Sequence, residues 1–227
     1  MKKLFLFAII LIATASSLKA QTIFTYYDFN VEPKDEQTVL NLYKAYFSNK
    51  PEGLKGVKVS LCQTHFAEKG VPTHELIFVG SPENLGAAYD SKSSDAWSLL
   101  QSEISKYTKE VSAGMGESIS VFGDANSEAY PIQDIYYINL KDEKLFKSKF
   151  DAFWSKNISK NGRISFGSVN TKGSDGVTHY VLRSYKNFTD EFKEDGSSLI
   201  GYAEYMNSVK DIRTIISTRT RILLGNW

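Results

Sequence analysis

The sequence has one cysteine, three histidines and five prolines in 227 residues. A lone thiol, Cys62, excludes an intrachain disulfide framework and any cysteine-rich zinc or iron–sulfur site. It sits in a strand-like run and reads as a buried small hydrophobe rather than a nucleophile. No histidine pair has i, i+4 spacing on a predicted helix and no His-x-His occurs, which argues against a metal site of the zinc type. Neither sign of charge dominates. Lys+Arg 27 against Asp+Glu 26 gives a net charge of +1 and no electrostatic case for a nucleic-acid partner. No phosphate-cradling loop is present: Gly114 and Gly116 lack a following Lys-Ser/Thr and read as a helix-to-strand turn. G-x-S-x-G is also missing. What is there is the composition of a folded protein, 42% hydrophobic, 13% aromatic and 23% charged.

Residues 1–20 read as a leader rather than as fold. Met1-Lys2-Lys3 is basic, and the apolar run Leu4 to Ala15 has about 12 residues, the length of a signal-peptide core and short for a membrane span. Ala20 suits the residue before a cut, although Leu18 is large for its position and leaves the cut site open. No cysteine follows the run, which argues against a lipoprotein anchor. Removing Lys2, Lys3 and Lys19 with the leader leaves 24 basic and 26 acidic side chains. No later stretch reaches 18 apolar residues, so no membrane span is expected after removal. The expected location is periplasmic or extracellular.

The rest of the chain reads as one unit written twice. Thr73-His74 and Thr178-His179 each enter an apolar strand. Tyr26-Tyr27 and Tyr136-Tyr137 open the two copies in alternating runs. Each opening strand leads to an amphipathic helix: Val39, Leu42, Tyr43, Tyr46 and Phe47 in the first, Leu145, Phe146, Phe150, Phe153 and Trp154 in the second. Asp142 is the expected cap of the second, and Asn161-Gly162 its stop. Two strands, a second helix and a last strand follow in each copy. The second helices carry Trp97, Leu100, Ile104, Tyr107 and Val111, and Leu199, Tyr202, Met206 and Val209. The order is β-α-β-β-α-β twice, an α+β ferredoxin-like pattern, with repeats at 21–125 and 131–227 joined by a polar stretch. Each unit covers one sheet face with helices and leaves the other bare, so two fused copies can pack sheet to sheet.

In element order and in the repeated Thr-His strand the chain resembles the dimeric α/β-barrel superfamily in its fused tandem form. The resemblance implies an intrachain barrel. The superfamily includes antibiotic-biosynthesis-type monooxygenases, haem-degrading enzymes and chlorite dismutase-like haem proteins. None of their catalytic patterns is recognised here, so no residue roles are carried over.

Strand alternation sorts the side chains by face. His74, Leu76 and Phe78 oppose Glu75, Ile77 and Val79. His179, Val181, Arg183 and Tyr185 oppose Tyr180, Leu182 and Ser184. The sets mixed with His and Arg are expected between the sheets, which makes His74 and His179 a pseudo-symmetric pair. Arg183 with Arg219 and Arg221 then forms a candidate anion-recognising patch. Each has a plainer reading: a histidine bonded to a turn, an exposed edge strand for Thr218 to Arg221, and an Arg183 paired with Asp190 or Glu191. Phe24, Tyr26, Phe78, Tyr137 and Tyr185 are the strand aromatics expected to line a cavity. His65 is the remaining candidate haem ligand.

These features favour an exported module that binds a small apolar or anionic molecule or a partner, with no assignable catalytic site. One alternative is a cofactor-poor monooxygenase or isomerase acting on an aromatic substrate between the sheets. The other is a haem protein. No cofactor is expected in the first two readings. Either a monomer of pseudo-dimeric halves or a homodimer satisfies the repeat.

Overall fold

The computed structural model describes residues 22–90, 94–124, 126–157, 162–170, 176–194 and 196–227. The leader reading of 1–20 and the helix stop at Asn161 lie outside the described residues. The first half runs β1 (Thr22–Val31), α1 (Glu36–Phe47), β2 (Lys58–Ala67), β3 (His74–Gly80), α2 (Pro82–Asp90), α3 (Asp95–Ile104) and β4 (Thr108–Gly123). The second runs β5 (Ile132–Leu140), α4 (Glu143–Asn157), β6 (Arg163–Val169), β7 (His179–Tyr185), α5 (Phe188–Lys193), α6 (Tyr202–Val209) and β8 (Arg213–Asn226).

The eight strands close into one antiparallel barrel in the order β1-β3-β2-β8-β5-β7-β6-β4. Within each half the order is ferredoxin-like, and the halves meet at two seams, β2–β8 and β4–β6. Closure removes free edges. The stretch Thr218 to Arg221 is therefore no edge: it pairs with β5 on one side, and three of its residues pair with β2 on the other.

Each half has its own core between helices and outer sheet face. In the first, Val39, Tyr43 and Phe47 of α1 are buried against Phe29, Val59, Leu61, Leu76 and Phe78. In the second, Phe146, Phe150, Phe153 and Trp154 of α4 pack on Ile138, Ile164 and Phe166. Burying side chains of this size contributes about 1.5–3 kcal/mol each, which is what fixes the helical stripes to the sheet. Asp142 caps α4, its Oδ1 accepting the Leu145 N–H at 2.9 Å.

Three elements differ from the sequence expectation. The helix carrying Trp97, Leu100 and Ile104 is α3 and ends at Ile104, so Tyr107 and Val111 lie beyond it, and Leu199 lies before α6. Gly114 and Gly116 are not in a turn but within the 16-residue β4, paired with Tyr26 and Phe24. A Cβ on Gly116 would lie 2.4 Å from the Phe24 ring, and one on Gly167 2.5 Å from the Tyr180 ring. These glycines make room for aromatic rings, which is a reason for glycine inside a strand.

Candidate functional site

The barrel encloses a cavity of about 350 Å³. It opens at the end where β1, β2, β5 and β6 begin. Its wall is aromatic and aliphatic: Phe24 and Tyr26 from β1, Tyr137 from β5, Tyr180 from β7, with Ile77, Val79, Ile135, Leu182 and Leu223. Phe24 and Tyr180 meet edge to face, centroids 5.4 Å apart. Cys62 lines the cavity too, and burial pushes its thiol pKa up to about 11.

The floor is a buried ion-pair cluster that joins the halves. Asp28 and Glu75 come from the first half, Arg219 and Arg221 from the second. Arg219 Nη2 lies 3.0 Å from Glu75 Oε2 and donates to the Tyr137 hydroxyl at 2.6 Å, while its Nη1 is 3.3 Å from Asp28 Oδ1. Arg221 Nη1 also contacts Glu75 Oε2, and its Nε donates to Gln133 Oε1 at 2.8 Å. Two acids face two guanidinium groups, so the cluster is formally neutral. Burial pushes the Glu75 carboxyl up, but Arg219 and Arg221 outweigh burial and hold it below its ordinary value. Asp28 is raised, by burial and by the neighbouring Glu75 charge. Beyond this floor a smaller chamber of about 180 Å³ is lined by Asp28, Ser112, Ser217 and Arg219, with Val71 and Pro72.

Several expected site residues lie elsewhere. His74, Phe78, His179, Arg183 and Tyr185 are on the outer, helix-covered face; the interior face is the one carrying Glu75 and Tyr180. The physical reason is pairing across the barrel, which lets a charged residue such as Glu75 sit inside. Phe78 belongs to the first core. Both histidines are held by the same local device. His74 Nδ1 is 3.0 Å from Thr73 Oγ1, and Thr73 Oγ1 accepts the Val31 N–H. His179 Nδ1 is 2.8 Å from Thr178 Oγ1, which accepts the Leu140 N–H. Each imidazole stacks on a phenylalanine, Phe29 or Phe166. His179 Nε2 adds a contact of 3.1 Å to Glu143.

The three arginines do not converge. Arg183 lies over the Trp154 and Tyr185 rings and pairs with Glu194. Arg219 and Arg221 are inside. Of the five expected cavity aromatics, Phe24, Tyr26 and Tyr137 line the cavity; Tyr180 was not anticipated. Arg163 and Lys58, at the cavity mouth, were also missed. A signal for them existed, since Lys58-x-Ser60 and Arg163-x-Ser165 stand 105 positions apart, as do His74 and His179.

A haem held by histidine needs an imidazole nitrogen facing a cavity. His179 commits both nitrogens, His74 is enclosed against Phe29, and His65 lies outside against Phe66 and Phe188. None of the three lines the barrel cavity. The residues present do not fit a histidine-ligated haem in the barrel, and no step below runs through one.

No protein-family profile matches the chain, and no curated protein matches it in sequence. Solved structures do match. A candidate monooxygenase from Fusobacterium nucleatum superposes with a TM-score of 0.62 at 14% identity, covering 92% of this chain and 95% of that one. An anthrone oxidase-like protein gives 0.61 at 6% identity, covering 93% and 94%. The chain has the dimeric α/β-barrel fold in fused tandem form. A dye-decolorizing peroxidase from Bacteroides thetaiotaomicron shares this barrel more distantly, with a TM-score of 0.53 at 8% identity over 88% and 92% of the chains. At these identities the likeness carries the fused barrel and not its chemistry.

Proposed function

We propose that the protein is an exported binder of a small, planar, mostly apolar molecule held in the barrel cavity. The observation that carries this is the cavity itself: about 350 Å³ inside one end of the barrel, walled by Phe24, Tyr26, Tyr137 and Tyr180. That volume falls in the usual range for small-molecule sites, ~300–1,000 Å³. The leader reading of residues 1–20 supports export, and one chain supplying all eight strands supports a monomeric working unit.

A second reading is an oxidase or monooxygenase acting on an aromatic substrate at the same place. It is favoured by the fold's likeness, over more than nine-tenths of both chains, to the candidate monooxygenase and the anthrone oxidase-like protein. In that reading Glu75 is the cavity-lining carboxylate available as a proton acceptor, and Arg221 faces a developing oxyanion. The model reaction balances: anthrone and dioxygen give anthraquinone and water.

Calorimetric titration with anthrone and with 2-naphthol tests the binding reading. Saturable one-to-one binding is expected, and loss of it in Leu182→Trp, which fills the cavity while circular dichroism stays unchanged. Equal binding by both proteins, or by neither, overturns it. Oxygen uptake with anthrone above the buffer rate, abolished by Leu182→Trp, establishes the second reading; binding without uptake removes it.

A further inference from the structure

The cations lining the cavity differ in how well they are neutralised. Arg221, at the floor, is engaged by Glu75 and Gln133. An incoming anion there would have to compete with a buried carboxylate already in place. Lys58, at the mouth on the β2–β8 seam, pairs with Glu128 at 3.3 Å. Arg163 holds the equivalent position at the β4–β6 seam: Lys58 pairs with Val79 across β2–β3, and Arg163 pairs with Ser184 across β6–β7. Among the described residues no carboxylate forms an ion pair with Arg163. Its Nη1 donates to the Asp124 main-chain carbonyl at 2.9 Å, and its remaining side lines the cavity.

The neighbourhood of Arg163 is polar on that one wall. Ser165, two residues on, faces the same cavity, as does Ser118 across the seam. Both serines act on the Tyr180 hydroxyl, pulling its pKa down against the larger upward push of burial. Burial holds Arg163 below its ordinary pKa, outweighing the opposing pull of Tyr180 and of the nearby Asp124 charge. The apolar walls lie deeper, around Ile77, Ile135 and Leu223.

We propose that the ligand is an amphipathic monoanion, an aromatic carboxylate or equivalent, whose ring system lies in the cavity and whose anionic group sits at the mouth on Arg163, beside Ser165 and Ser118. This rests on the cavity-binding reading above and adds the charge and the orientation. A guanidinium fork suits a carboxylate, and Arg163 has no ion-pair partner among the described residues, whereas the half-buried Lys58 is already paired with Glu128. The neutral floor takes no part in charge recognition. It excludes a second anionic group at the deep end, because a carboxylate there would confront Glu75.

The test compares naphthalene-2-carboxylate with its uncharged isostere naphthalene-2-carboxamide by calorimetry at low salt. The native protein is expected to bind the carboxylate about tenfold tighter, a difference that shrinks as salt is added. Arg163→Gln brings the two within about twofold, mostly by weakening the carboxylate. Arg163→Lys keeps part of the preference, and Lys58→Gln leaves it intact. A carboxylate preference that survives Arg163→Gln, or that is lost in Lys58→Gln, overturns the assignment. Equal binding of both compounds by the native protein, abolished by Leu182→Trp, overturns the charge inference and leaves cavity binding standing. Binding of neither compound removes both.

Discussion

Arg219, on the last strand of the second half, lies 3.0 Å from the Glu75 carboxylate of the first half, 144 positions earlier in the chain. Both side chains are almost fully buried, at 4% and 6% exposure. The two halves are thus joined at the barrel centre by charge as well as by their seams. A buried pair of this kind contributes modestly to stability when intact, but removing one partner is costly.

Glu75→Gln leaves two buried guanidinium groups facing Asp28 alone. It is expected to destabilise the fold by about 3–5 kcal/mol in denaturant unfolding. Adding Arg221→Met to it should recover part of that loss, because the surplus cation goes with it. A double change that costs the sum of the two singles would show that the groups are not coupled.

Gly116→Ala places a methyl group 2.2 Å from the Ser168 carbonyl oxygen and 2.4 Å from the Phe24 ring. Overpacking of this kind costs about 1–3 kcal/mol. Phe24→Leu relieves only the ring contact, so rescue should be incomplete, and a thermal melt of the three proteins checks it. Full rescue would mean that the seam backbone yields.

Glu191, on α5, shares the Thr220 hydroxyl with Asp134. Burial and then the Asp134 charge raise its pKa to about 7, against an ordinary value of 4.5. A carboxyl that binds its proton more tightly when folded contributes stability at low pH that is lost as pH rises toward 7. Glu191→Gln should flatten the stability profile between about pH 5 and 8 and make the variant the more stable protein above pH 7. An unchanged slope would show that Glu191 titrates normally.

Burial holds the His74 imidazole below its usual pKa, against the opposing pull of Glu36. Its contribution to stability is present above about pH 6.5 and is lost on acidification, as the unfolded chain takes up the proton first. His74→Leu should remove that acid sensitivity. Neither His74→Leu nor His179→Ala should change calorimetric affinity for an aromatic ligand, since both rings lie behind the barrel wall. A loss of affinity in either would move the site to the helix side.

The duplication was legible because its markers are local. Thr73-His74 and Thr178-His179 repeat a bonded device that needs only adjacent residues and one neighbouring strand, and the stripes of α1 and α4 follow helical period. The facing of the strands was not legible. Glu75 looks like an outward residue until Arg219 and Arg221 arrive from the far end of the chain, and nothing in the alternation of β3 announces them. Gly116 reads as part of a turn for a related reason: what fills its empty side is the Phe24 ring, from β1. Arg163 was not legible because its place at the cavity mouth, with no carboxylate in ion-pair contact among the described residues, is defined only by the folded neighbourhood.

The division of acids and bases at the barrel centre has a consequence for how such a chain came about. Two copies of the first half alone would enclose four carboxylates, and two copies of the second alone would enclose four guanidinium groups. Neither half can return to pairing with itself, so the link between them has become a commitment rather than a convenience.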